Sequence, residues 1–288
     1  MRMGLVLAVL LGACGGGGTM SGDAGDTRQV VATVRATANR DIDILFVIDD
    51  SRSMAGRQAK LAASIGGLGR LVDAQGRLPN LHIGVITTDM GTTGSGVGAP
   101  GPQVGTIGEG GCALAGKDGV LQMKTPGVTG NFLRDIAQPN GTRMRNYTGN
   151  LEAVLGDMVT TGGIGCAFEQ PLHAMKRALT PRPTNAGFLR PTAALGIFFL
   201  TDEDDCSARD PELFAPSEAK LGPVDSFRCT RYGVFCAQGG TTPDEMMQVG
   251  TKGSCMPSTT STLLDDVATY RDFLLSLKPD PSQITLGG

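Results

Sequence analysis

The stretch Ile42-Asp43-Ile44-Leu45-Phe46-Val47-Ile48 is almost continuously apolar and runs directly into Asp49-Asp50-Ser51-Arg52-Ser53. A strand with apolar side chains pointing both ways needs cover on both faces, the condition met inside a parallel sheet. Leu81–Thr88 and Ala193–Thr201 repeat the pattern, and Ser282–Leu286 reads as the start of a fourth strand. Helical stripes lie between them. Leu61, Ile65, Leu68 and Val72 share one helix face, as do Leu151, Val154, Leu155, Met158 and Val159. Phe168, Leu172, Met175 and Leu179 form another stripe, with Pro171 tolerable only in the first turn. Leu264, Val267, Arg271, Leu274 and Leu277 follow Thr262, with Asp265 placed to complete a capping box. Strands alternating with helices predict an α/β fold with a doubly wound, mainly parallel sheet flanked by helices.

Two stretches break that rhythm, at about 89–146 and 203–261. Both are rich in Gly and Pro, and loops that long are usually functional or cross-linked. Gly119–Thr125 reads as a short edge strand within the first. The 43 glycines are twice the usual share, but they concentrate in the amino-terminal region and the first insertion. With 25 basic against 28 acidic residues and a net charge of −3, the chain has no electrostatic case for nucleic acid. The close of the chain at Gly287-Gly288, straight after a strand, fits either a truncated product or a sheet that ends unprotected.

The amino terminus has one positive charge at Arg2, then a ten-residue apolar run from Gly4 to Ala13, then Cys14. The run is too short to span a membrane as a helix and has the pattern of a secretory signal. Leu11-Gly12-Ala13-Cys14 resembles the lipobox of bacterial lipoproteins. That resemblance implies a signal peptide over 1–13, acylation of Cys14, a tether over 14–40 and a folded domain over 41–288. An ordinary signal peptide cut nearby, or a poorly chosen start codon, is the alternative. Gly15 after the cysteine implies outer-membrane anchoring in the cell envelope, facing periplasm or exterior. Setting Cys14 aside leaves six of the seven cysteines, an even number suited to an oxidising compartment. No C-x-x-C pair is present and the chain has only two histidines, His82 and His173, so zinc is not expected. Three disulfides stabilising the insertions are predicted. Their pairing is open, and the short Cys229–Cys236 separation would suit a small loop.

The chemistry concentrates at strand ends. Asp49, Ser51 and Ser53 form D-x-S-x-S after the first strand, three oxygens at alternate positions able to curl around a hard cation such as Mg²⁺. Thr201-Asp202-Glu203-Asp204-Asp205 follows the third strand. Carboxyl ends of strands at a topological switch point are where open α/β sheets bind ligands. Like-charged carboxylates converging there favour a cation between them.

Phe46-Val47-Ile48-Asp49-Asp50-Ser51-Arg52-Ser53-Met54, taken with Phe199-Leu200-Thr201-Asp202, resembles the von Willebrand factor A domain and its metal-ion-dependent adhesion site. The resemblance implies a Rossmann-like topology and a bound Mg²⁺, Mn²⁺ or Ca²⁺. It implies ligands Asp49, Ser51 and Ser53 from a first loop, Thr161 from a second, and Asp202 from a third. The second loop departs from the pattern, because Ile164 stands near where a threonine belongs, and Glu169 offers an alternative oxygen. Glu203 and Asp204 replace the glycine often found after the third-loop aspartate.

The function that follows is a cell-envelope lipoprotein, not an enzyme, binding a protein or extracellular-matrix polymer that presents a carboxylate to the cation. Membrane contact would come through the lipid anchor. A rival is a metal-dependent phosphoryl-transfer enzyme using Asp49, Asp50, Asp89 and Asp202, against which stands the absence of a phosphate-binding loop motif or strand-end lysine. A third is a structural envelope protein with a degenerate metal site. Gly96–Gly101 matches G-x-G-x-x-G, but Pro100 and Pro102 oppose the helix that a dinucleotide site requires. His82 and His173 read as structural.

Overall fold

The computed structural model describes residues 40–66, 77–96, 98–122 and 127–288. Cys14, the expected signal and nearly all of the tether lie outside the described residues, as do Leu68 and Val72 of the first helical stripe.

The main sheet is built from β1 (Asp41–Ile48), β2 (Asn80–Thr87), β3 (Leu133–Ala137), β4 (Arg143–Arg145), β5 (Ala194–Leu200) and, last in the chain, a strand at Ile284–Gly287. Its order is β4-β3-β2-β1-β5 followed by the Ile284–Gly287 strand at the far edge. β1 pairs in parallel with β2 and β5, and β5 in parallel with Ile284–Gly287, whereas β3 and β4 are antiparallel additions. The fold is therefore α/β, with a mixed, mostly parallel sheet.

Side-chain alternation on β1 explains why the apolar run is continuous. Leu45 and Val47 point to one face, where they join Ile86, Leu195 and Ile197 beneath Met175 and Leu179. Phe46 and Ile48 point to the other, joining Ile83 and Val85 beneath Leu155 and Met158. The covering helices are α1 (Ala55–Ser64) and α2 (Leu151–Val159) on one side, and α3 (Pro171–Leu179) with Tyr270 and Leu274 from a later helix on the other. Asn150 caps α2 by accepting from the amides of Glu152 and Ala153, and Pro171 occupies the first turn of α3 as its fixed φ requires.

Above the sheet's carboxyl edge a third core gathers Phe168, Leu213, Phe214 and Leu264 around cysteines. Among the described residues three disulfides form: Cys112–Cys166, Cys206–Cys229 and Cys236–Cys255. Cys229 and Cys236 do not pair with each other. After α4 (Glu218–Leu221), Cys229 lies in α5 (Phe227–Gly233), and the chain then enters β6 (Val234–Gln238), which carries Cys236 away from Cys229. After α6 (Pro243–Met246), β7 (Gly253–Pro257) pairs antiparallel with β6 and sets Cys255 directly opposite Cys236.

Three further expectations need correction. The edge strand expected at Gly119–Thr125 does not form over residues 119–122. There the Leu121 amide donates to the Asn185 side chain and the Gln122 amide to the Val85 carbonyl, and residues 123–125 lie outside the described residues. The edge is made instead by β3 and β4, inside the segment read as an insertion. The last helix, α7 (Val267–Ser276), is capped by Asp266 rather than by Thr262 and Asp265. Asp265 is occupied by the Tyr270 hydroxyl at 2.6 Å, and Val267 is exposed while Tyr270 and Leu274 are buried. The final strand, β8 (Ile284–Gly287), follows a 3₁₀ turn at Pro281–Gln283.

At the amino-terminal end of the sheet, Asp43 is fully buried within the apolar run of β1. Arg190 satisfies it, donating its amide at 2.7 Å and its Nε at 2.8 Å, and donates further to the carbonyls of Ile42 and Asn80. Burial pushes the Asp43 carboxyl up and Arg190 pulls it back. Breaking one partner of a buried ion pair leaves an uncompensated charge, so Arg190→Met should destabilise the protein by about 3–5 kcal/mol in urea unfolding. Adding Asp43→Asn should restore most of that loss; an Arg190→Met protein as stable as the parent would contradict this.

Candidate metal-binding site

The parallel pairing of β1 and β5 places Ile48 beside Leu200, so the next residues of both strands emerge together. The chain passes from β1 to β2 on one side and returns by α2 and α3 to β5 on the other. β1 and β5 therefore flank the topological switch point. The Asp49 amide donates to the Leu200 carbonyl at 2.8 Å, clamping the two loop starts.

Asp49 is fully buried. Its Oδ1 accepts the Ser51 amide at 2.7 Å and its Oδ2 the Thr201 hydroxyl at 3.0 Å. The Ser51 and Ser53 hydroxyls lie 3.2 Å apart, and Ser53 donates to Asp202 Oδ1 at 3.0 Å across 149 residues of sequence. Arg57, one turn into α1, pairs with Asp202 Oδ2 at 2.7 Å. Four of the five residues expected to hold a cation are thus joined in one chain of contacts.

Gln58 fixes this loop from beneath. It lies at the buried face of α1 with Leu61, Ala62 and Ile65. Its Nε2 donates to the carbonyls of Asp49 and Gly162, both at 2.8 Å, and its Oε1 accepts the Gly162 amide at 3.2 Å. One side chain therefore ties the first loop to the second. Thr161, the fifth expected ligand, is buried next to Gly162. Ile164 is exposed and takes no part in the core.

Glu169 also converges on the cluster. Its carboxyl meets the Ser51 hydroxyl and feels the negative charge of Asp49 and Glu203; burial and then Asp49 push it up to about 8. Burial raises Asp49 as well, and Asp202 adds to that, while hydrogen bonds from Ser51 and Thr201 oppose it.

Asp50 and Asp89 are placed differently. Asp50 is fully buried and forms an ion pair with Lys117, a residue of the first insertion not anticipated as a partner. The Lys117 amide donates to the Asp89 carbonyl at 2.9 Å, and Asp89 Oδ1 accepts the Gly91 amide at 2.9 Å. Burial raises both carboxyls and Lys117 lowers them. Gly165 is needed at this point, because a Cβ there would come within 2.3 Å of Asp50 Oδ1.

The acidic run after β5 is divided among separate tasks. Asp202 turns to Ser53 and Arg57. Glu203 accepts from Ser226 at 3.3 Å, and Asp204 from Thr230. Asp205 accepts the Leu172 amide at 3.2 Å and the Ser207 hydroxyl at 2.8 Å, while Ser207 accepts the His173 amide, so this segment caps the start of α3. Gln170 closes the assembly: its amide donates to Thr88 and its Oε1 accepts the Ala208 amide. A cavity of about 580 Å³ lined by Leu179, Phe188, Leu189 and Leu277 lies before the start of β5, away from these carboxylates.

The donor set at the strand ends is all oxygen: two carboxylates, two hydroxyls and, beside them, the Glu169 carboxyl. Oxygen donors suit Mg²⁺, Mn²⁺ or Ca²⁺ rather than zinc. Asp49 and Asp202 converge with Arg57 as the positive partner at Asp202 among the described residues, so the donor set fits a hard divalent cation. Among the described residues no three His, Cys, Asp or Glu side chains gather to hold a metal by themselves. The serine hydroxyls are the links between the acids.

His82 and His173 are both buried and hydrogen-bonded within the fold. His82 Nδ1 meets the Phe188 carbonyl at 2.8 Å, and His173 Nδ1 meets Gln170 Oε1 at 3.1 Å. Burial lowers His173 from its ordinary 6.5 to about 4. The folded protein thus holds it neutral, and stability falls as the unfolded chain takes up a proton between pH 6.5 and 4. The gap corresponds to a loss of roughly 3 kcal/mol. Asp205, raised to about 6 by burial, acts in the opposite direction over part of that range, equally in both proteins. Urea unfolding at pH 7 and pH 4 should therefore show His173→Gln losing less stability than the parent. Equal losses would contradict a buried neutral imidazole.

Compared with protein-family models and with curated proteins, the chain matches none, so the assignment of this cluster rests on its own geometry.

Proposed function

We propose that the chain is a von Willebrand factor A-type binding module carried on a bacterial cell-envelope lipoprotein, with a divalent cation held by Asp49, Ser51, Ser53 and Asp202. The observation that carries the reading is the Ser53–Asp202 hydrogen bond, which brings oxygens of the D-x-S-x-S loop and the T-D loop together at the switch point. The β1-centred parallel sheet with helices on both faces agrees with a Rossmann-like framework of that type. The cation would supply a positive centre in a cluster of like charge, completing its coordination with a carboxylate oxygen of a protein or polymer partner. Cys14 would provide the membrane anchor and the tether the reach.

The function is then ligation rather than bond cleavage. A phosphoryl-transfer reading draws less support, because Asp50 is engaged by Lys117 and Asp89 by the Gly91 amide. Calorimetric titration of Mg²⁺ into the protein should give saturable binding that Asp49→Ala abolishes. Equal binding by both proteins would defeat the assignment, and metal-dependent turnover of a generic phosphoester lost in Asp49→Asn would favour the enzyme instead.

A further inference from the structure

The six paired cysteines are not equally protected. Cys112, Cys166, Cys206, Cys229 and Cys236 are each 0–1 % exposed, whereas Cys255 is exposed on β7, as are Ser254, Met256 and Pro257 around it. Exchange at a disulfide needs a thiolate to reach one of its sulfurs, so access selects both the bond that is cut and the sulfur that is attacked. Cys255 also borders a cavity of about 340 Å³, with Met256 on the ribbon side and Leu264 and Val267 opposite. Asp204 and Asp205 line the same cavity, and their negative charge opposes a thiolate coming through it. The solvent side of β7 is the open route.

The bond cross-links a weakly rooted element. No residue from Val234 to Pro257 belongs to any of the three cores. β6 and β7 pair as a two-stranded sheet of their own, and such a ribbon is marginally stable in water by itself. Between the strands, Lys252 gathers the chain by donating to the carbonyls of Gly239, Glu245 and Gln248. α5, which leads into the ribbon, is fastened separately. Cys229 is bound to Cys206, and Ser226 and Thr230 donate to Glu203 and Asp204. Cutting Cys236–Cys255 therefore loosens the ribbon without freeing α5.

We propose that Cys236–Cys255 is a thiol-exchange site for an external dithiol, and that its reduction releases the β6–β7 ribbon while the other two disulfides stay closed. One thiolate of the dithiol attacks Cys255 Sγ, the Sγ–Sγ bond breaks, and Cys236 leaves as a thiolate that takes up a proton. The second thiolate of the reagent then attacks the reagent's own sulfur in the mixed disulfide and expels Cys255 as a thiolate, which is protonated in turn. Two electrons pass from the dithiol to the cystine, and the dithiol ends as its own internal disulfide. Release of the ribbon uncovers Leu264, which is buried in the closed form.

The test uses the whole folded chain without denaturant, its free thiols blocked before graded dithiothreitol is added. Released thiols are trapped by pulse alkylation and located by peptide mass spectrometry, and trypsin cleavage after Lys252 is followed on the alkylated protein. Cys236 and Cys255 should be labelled together and at least about tenfold faster than the other four half-cystines, because buried sulfurs wait on local opening. Cleavage after Lys252 should rise over the same dithiothreitol range, and joint Cys236→Ser and Cys255→Ser substitution should give the faster cleavage with no reductant. Labelling of Cys112, Cys166, Cys206 or Cys229 as fast or faster would overturn the site, as would no labelling of Cys255 short of unfolding. Selective labelling with unchanged cleavage after Lys252 would overturn the release of the ribbon. If the double variant does not fold, the two readouts on the parent decide alone.

Discussion

The pairing of β1 with β5 in parallel, Ile48 beside Leu200, is the constraint from which the rest of this structure follows. Parallel register delivers the residues after both strands to the same place, and in this chain those residues are Asp49-Asp50 and Thr201-Asp202. Two acidic loops emerging side by side above a buried apolar sheet must be reconciled with Coulomb repulsion at low dielectric. The surrounding structure is largely that reconciliation. Thr201 and the Ser51 amide take the two Asp49 oxygens, Ser53 and Arg57 take Asp202, and Lys117 takes Asp50.

The two ends of the sheet deal with buried charge in different ways. At the amino-terminal end, Arg190 neutralises Asp43 and uses its remaining donors on backbone carbonyls of β1 and β2, giving a closed, structural arrangement. At the carboxyl-terminal end, Asp49 and Asp202 are linked through neutral Ser51 and Ser53 hydroxyls, with Arg57 the positive partner at Asp202 among the described residues. The disulfides matter because of this imbalance. Cys112–Cys166 and Cys206–Cys229 fasten the segments that carry Lys117 and Glu169, so like charges are held close by covalent links rather than by mutual attraction. Glycine contributes where the backbone must approach most closely, as at Gly165 against Asp50.

Much of the scaffold is legible in the chain because burial on two faces leaves a strong mark. β1, β2 and β5 are runs of large apolar residues, and α2 and α3 show their inward stripes and, for α3, a proline at the permitted position. β3 and β4 leave almost no mark. They are short strands at one side of the sheet, and Leu133–Ala137 contains Arg134 and Asp135, the latter buried where Arg143, Arg145 and Tyr147 surround it. Disulfide pairing was equally illegible, since it depends on how α5 and β6 carry the chain between Cys229 and Cys236. The site was legible to the extent that its ligands sit next to strands. Gln58 had a readable signal, a polar residue in register with Leu61, Ala62 and Ile65 on an inward helix face. Lys117 had none, because only the path of the first insertion brings it to Asp50. The acidic run after β5 looked uniform, yet each of its members has a different partner.

The central claim is that the oxygens of the β1 and β5 loops form one cation site. Diffraction from crystals equilibrated with Mn²⁺, collected at a wavelength where manganese scatters anomalously, tests it most directly. A single strong anomalous peak is expected among the side chains of Asp49, Ser51, Ser53 and Asp202. A peak elsewhere, or full Mn²⁺ exposure with no peak at these side chains, would contradict it.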